Sequence, residues 1–114
     1  MQFPSPEILI VQFTQPADAE SPAGLKQRLL AAVEHPGHVV LDLRPVRLDA
    51  GRLGVILSLQ RRLELQGRRL VVAGSADLTL LLERAGAEQA LTVFPDPAQA
   101  EAFARSQPAV SLAA

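Results

Sequence analysis

The stretch VVLDLRPVRLDAGRLGVILSLQRRLELQGRRLVVAG, residues 39–74, decides the fold. It opens on VVLDL (39–43), a run rich in branched residues that reads as a buried strand and is ended by Pro45. From about Ala50 to Gln66 apolar residues recur at helical spacing, and Gly67 closes that helix as a C-terminal cap. RLVVAG (69–74) is again a continuous apolar strand. Strand, helix and strand in that order make a crossover unit, which sets the two strands parallel and lays the helix over them.

The same alternation continues outward on both sides. EILIVQFT (7–14) is an apolar run bounded by prolines and reads as a strand. After the loop QPADAESPAG (15–24), Ser21 is a helix N-cap and Pro22 the first helical residue. Leu25, Leu29, Ala32 and Val33 then form the apolar side of a helix reaching about Glu34, where HPGH (35–38) stops it. Downstream, Ser75 caps a third helix with an apolar stripe of Leu78, Leu81, Leu82 and Ala85, ended by Gly86. ALTVF (90–94) is a last short strand, and Pro97 starts a final helix with Ala100, Phe103 and Ala104 on one side. The tail SQPAVSLAA (106–114) reads as frayed. The class is α/β: one domain over residues 1–114, its core about 7–105, with a mostly parallel sheet of four to five strands and about four helices.

Composition bounds the function. At 114 residues the chain holds one core and no more. Apolar residues make up 48% and aromatic ones 4%, so that core is aliphatic. A net charge of −1 without blocks of like charge gives no electrostatic footprint for nucleic acid or an anionic membrane. Cysteine is absent, which excludes disulfides, thiolate metal sites and thiol catalysis. MQFPSPE lacks the basic and apolar regions of a signal peptide, and no run approaches the ~20 apolar residues of a membrane span. A cytoplasmic location without membrane insertion is expected.

The 39–74 string, followed by LLLERAGAEQALTVFPDPAQAEAF (80–103), resembles a STAS domain, the fold of anti-sigma factor antagonists and of the C-terminal domains of sulfate transporters. The resemblance runs from about Glu7 to Arg105. Its parts are the VVLDL strand, an acid-led turn at Asp49, the RLVVA strand, the LERAG helix end and the closing helix with its AEAF run. No part is specific by itself; order and spacing carry the likeness.

The departures carry the functional question. In the family the turn's acid is followed by two hydroxyl residues and then Gly-Leu-Gly. Here Asp49 matches the acid, and Leu53 and Gly54 match the last two residues. Ala50 and Gly51 occupy the hydroxyl positions, and Arg52 replaces a glycine. The approach PVRLD is also one residue shorter, but sliding the alignment supplies no hydroxyl. Ser58 lies eight residues beyond Ala50, roughly 12 Å further along a helix. A phosphate at a helix start adds roughly −1.5 to −2 charge, which the helix favours and a partner's acidic or apolar surface does not. That is how the family's switch would release its partner. This chain has no residue there to phosphorylate.

The residues around the turn each have a structural and a functional reading. Asp49 is an N-cap or a docking acid; Arg52 pairs with Asp49 or reaches a partner carboxylate. Asp18 is the only retained part of the family's first-loop acid motif, and is otherwise a solvated loop residue. On the second helix, Leu53, Ile56, Leu59 and Leu63 share the face toward the sheet, with Val55 at its margin. Gly54, Leu57, Ser58, Arg61 and Leu65 lie on another face, where Leu57 and Leu65 are expected to be exposed beside an arginine.

Chemistry-bearing motifs are few. His35 and His38 flank a Pro-Gly turn but lack a third ligand, so no metal site is expected. Asp42 and Asp49 are a nominal carboxylate pair better explained as turn former and cap. No phosphate-binding loop or nucleophile motif occurs. The expectation is a non-enzymatic, cofactor-free, protein-binding module of bacterial transcription regulation. The resemblance implies an anti-sigma factor of the serine-kinase type as partner. It equally implies a second use, as the small subunit that grips the ATPase of a lipid-transport ABC system and needs no phosphoserine. A small-ligand or nucleotide sensor is the third.

Overall fold

The computed structural model describes residues 8–13, 21–35 and 37–107. Strands β1 (Leu9–Gln12), β2 (Val39–Asp42), β3 (Leu70–Ala73) and β4 (Thr92–Phe94) alternate with helices α1 (Pro22–Glu34), α2 (Ala50–Glu64), α3 (Ala76–Arg84) and α4 (Pro97–Ser106). The sheet order is β1-β2-β3-β4 and every pairing is parallel. The expected class and alternation hold, with four strands among the described residues. Glu7 and Thr14, the expected ends of the first strand, the loop residues 15–20 and the tail residues 108–114 lie outside the described residues, while Ser106, expected in the frayed tail, is the last residue of α4.

The sheet has two unequal faces. Successive side chains of a strand point to opposite sides. Val39 and Leu41 join Leu70 and Val72 against the leucines of α1, α2 and α3 in the larger core. Val40, Val71 and Ala73 point the other way and meet Ala100 and Ala104 of α4. The two alanines let α4 lie close on the sheet. At its margin the Phe94 and Phe103 rings pack with centroids 5.4 Å apart. Every residue of β2 and β3 is buried, Asp42 at the end of β2 included, which is why those strands read as nearly continuous apolar runs.

The caps explain the element boundaries. The Ser21 hydroxyl accepts from the Gly24 N–H at 3.0 Å, and Asp96 accepts from Ala98 N–H at 2.8 Å, each just before a proline at the helix start. Gly67 and Gly86 take left-handed backbone, φ 70° and 66°. Beside them the Arg68 N–H reaches back to Leu63 O and the Ala87 N–H to Leu82 O, the six-to-one bond of a Schellman end. The second helix therefore ends at Glu64 rather than Gln66, because the terminal turn is already unwinding toward Gly67. Ser75 sits at the N-cap position of α3 but makes no capping bond with its side chain, contrary to expectation. Ala85 leaves the expected stripe and is exposed as the C-cap, while Leu78 and Leu82 carry the burial. The last strand begins at Thr92, since the Ala90 N–H closes a turn onto Ala87 O.

One side chain ties the layers together. Arg68 is buried, 4% exposed, behind the start of β3. Its guanidinium donates from Nη2 to Ala32 O at 2.7 Å, from Nη1 to Val33 O at 3.0 Å, from Nη1 to Gln66 Oε1 at 2.8 Å and from Nε to Gly37 O at 2.8 Å. Helix α1 has no basic residue in its last turn. Ala32 O has no helical donor, because residue 36 is a proline. The Gly37 N–H that would serve Val33 is turned to His35 Nδ1. Arg68 thus caps α1 from 35 residues away in the chain. Burial pushes its pKa down from the ordinary arginine value.

Candidate functional site

The segment from β2 into α2 is built by two carboxylates. Asp42, at the end of β2, receives Arg44 Nε at 2.9 Å on Oδ1 and Arg44 Nη2 at 3.0 Å on Oδ2, together with the Arg44 backbone N–H at 3.2 Å. This fork pins the turn that leaves the sheet, and its side-chain bonds hold the Asp42 carboxyl below the usual carboxylate range. Asp49 caps α2. Its Oδ1 accepts the Arg52 backbone N–H at 2.9 Å and its Oδ2 accepts Arg52 Nη1 at 2.6 Å. The backbone bond, with the nearby charge of Arg52, holds Asp49 below its usual pKa. The two acids therefore hold a turn and a cap in separate clamps, as their positions in the sequence suggested. The Arg52–Asp49 pair offsets the unfavourable placement of a cation in the first helical turn.

Ala50 and Gly51 begin the helix and are exposed. A Cβ on Gly51 would lie 3.1 Å from Pro22 Cγ, so the start of α2 abuts the start of α1. A hydroxyl-bearing residue fits freely at Ala50, whereas at Gly51 the Pro22 ring must yield by a few tenths of an ångström.

Along α2 the core face is as expected: Leu53, Ile56, Leu59 and Leu63 are all buried. Leu57 is not exposed. It is half-buried and packs against the main core. The geometry explains this, since four residues at 3.6 per turn leave Leu57 only about 40° around the axis from Leu53. The outer stripe is consequently Ala50, Gly51, Gly54, Ser58, Arg61 and Leu65, all exposed, with Leu65 at 81%. Arg52 is half-buried at the sheet side of the helix start, and Asp18 lies outside the described residues.

Two features were not legible in the sequence. A groove of about 300 Å³ runs between α1 and α2. Lys26, Leu30 and Val33 of α1 form one wall, and Gly51, Gly54, Ser58 and Arg62 of α2 form the other. Small residues at 51, 54 and 58 were the available signal, but the facing wall is set by tertiary packing. A second cavity, about 470 Å³, lies between the Arg44–Leu48 turn and α3, beside exposed Leu80. The histidines serve the backbone: His35 Nδ1 accepts from Gly37 N–H and His38 Nδ1 from Arg69 N–H, each at 3.0 Å. Among the described residues no three His, Cys, Asp or Glu lie together to hold a metal ion, and no helix is long and apolar enough to cross a membrane.

The sheet steps in one direction from β1 to β4, so among the described strands there is no reversal of order of the kind that opens a ligand crevice in doubly wound folds. The outer stripe of α2 ends on Leu65, the most exposed of the large apolar side chains among the described residues. Residues 4–100 match the family model of the STAS domain. No significant match is found among curated proteins.

Proposed function

The chain belongs to the STAS domain family, whose members are generally binding or regulatory modules, and from that premise we propose that it is a non-enzymatic docking protein whose α2 stripe binds another protein. The observation that carries this is Leu65, 81% exposed at the end of α2, in line with Arg61, Ser58, Gly54 and Ala50. An apolar anchor beside a cation on a rigid helix suits a partner groove. Asp49 and Arg52 complete the surface at its start, with Asp18 assigned to it from sequence alone. The partner on this reading is an anti-sigma factor of the serine-kinase type, and the action is that of an antagonist in the cytoplasm.

A second use is favoured by one observation, the absence of any hydroxyl between Asp49 and Leu57. A subunit that grips the ATPase of a lipid-transport ABC system needs no phosphoacceptor there. Both uses predict constitutive docking. Incubation with a serine-kinase anti-sigma factor and ATP is expected to leave residues 49–54 unlabelled by mass spectrometry and the complex intact. A purified kinase and a purified ABC ATPase, each titrated by calorimetry, separate the two partners. Stoichiometric phosphate on the α2 surface, with loss of binding, would overturn constitutive docking.

A further inference from the structure

We propose that the groove between α1 and α2 is a binding site for a single-chain alkyl carboxylate. Its volume, about 300 Å³, lies at the lower end of the range for small-ligand pockets, roughly 300–1,000 Å³. The lining residues of α2 run from Gly51 to Arg62, eleven residues apart, or roughly 16 Å of helix at about 1.5 Å each. A groove of that length takes one extended alkyl chain laid along it over its apolar residues.

The chemistry of the walls agrees. Leu29, Leu30, Val33, Val55 and Leu59 are apolar, and Leu30 is 42% exposed at the rim. The space over Gly54 is open: a Cβ there would meet nothing within 4 Å. No acidic side chain lines the groove. Its charged residues are Lys26 and Arg62, and neither forms an ion pair among the described residues. The ligand's charge is therefore negative. The carboxylate belongs at Lys26 rather than Arg62, because Arg62 sits in the last turn of α2, where the carbonyl end of the helix disfavours an anion. The alkyl chain lies along Gly54, Leu30 and Val33. Because Gly51, Gly54 and Ser58 also belong to the docking stripe, a bound chain alters the surface shown to a partner. That coupling rests on the docking reading, whereas the binding itself does not.

The test uses the isolated, isotope-labelled full chain and decanoate kept below its micelle concentration, followed by amide NMR. Saturable shifts at Gly51, Gly54 and Ser58 are expected, at least tenfold weaker binding for 1-decanol, and at least tenfold weaker decanoate binding for Lys26→Met. Gly54→Leu fills the slot and is expected to abolish binding with an unchanged circular dichroism spectrum. Should that variant fail to fold, Leu30→Asp, at an already exposed position, places a repelling charge on the same wall and is expected to abolish binding as well. Shifts scattered over the surface, equal binding of decanol, or unaltered binding by these variants would overturn the proposal. So would perturbation of the same amides by phosphatidylglycerol vesicles in the absence of any response to decanoate. No partner protein enters the experiment, so its outcome is independent of whether α2 docks one.

Discussion

Replacing Arg68 by alanine removes four hydrogen bonds at once and exposes what the capping of α1 is worth. Three of the acceptors are main-chain carbonyls, Ala32, Val33 and Gly37, and for the first two the local chain offers no substitute donor. Leaving a buried carbonyl unpaired costs about 1–3 kcal/mol each. Part of that sum is offset, because the variant no longer holds a desolvated guanidinium. The expected loss is about 3–5 kcal/mol, the range for breaking a buried charged network. A domain of this size has a total stability of about 5–15 kcal/mol, so the variant folds but marginally. At about 4–8 °C per kcal/mol, the midpoint should fall by roughly 12 °C or more. With no tryptophan or tyrosine to report by fluorescence, thermal and urea melts are followed by far-ultraviolet circular dichroism. Arg68→Lys should recover less than half of the loss, since one ammonium cannot span the carbonyls that a planar fork reaches. Arg69→Ala, one residue on and exposed, should stay within about 0.5 kcal/mol of wild type. A loss under about 1 kcal/mol for Arg68→Ala, or full rescue by lysine, would refute the capping role.

Other outcomes follow from the same geometry. Leu65→Asp should leave the melting midpoint unchanged while removing partner binding in calorimetry; Leu57→Asp should instead destabilise by at least about 1 kcal/mol, since it forces a charge into packed apolar surroundings. Asp42 and Asp49 have pKa values depressed in the folded chain, so the stability they add is fully present above the unfolded carboxylate pKa of about 3.9 and is lost as pH falls through and below it. Urea melts as a function of pH should show a shallower acid limb for Asp42→Asn than for wild type. Ala50→Ser should melt like wild type, whereas Gly51→Ser should melt below it by a measurable margin, because its Cβ presses on Pro22. With a serine-kinase anti-sigma factor and ATP, only the variants carrying a new hydroxyl are expected to be candidates for labelling.

The order of elements was present in the sequence because each signal is local. A proline after a serine or aspartate starts α1 and α4, a left-handed glycine ends α2 and α3, and runs rich in branched apolar residues mark β2 and β3. Parallel pairing followed from the crossovers alone. The missing switch hydroxyls are likewise a matter of residue identity, which no folding can alter. Tertiary packing decided the rest. Spacing along the helix puts Leu57 within about 40° of buried Leu53, but whether the core wraps far enough around α2 to cover it is set by the neighbouring elements. The groove exists because α1 presents Lys26 and Leu30 opposite glycines that, in sequence, are merely small. Arg68 and Arg69 are adjacent and chemically identical, yet one is buried on three carbonyls and the other is exposed. The difference is that the end of α1, with a proline where a donor should be, comes to rest against the first of them.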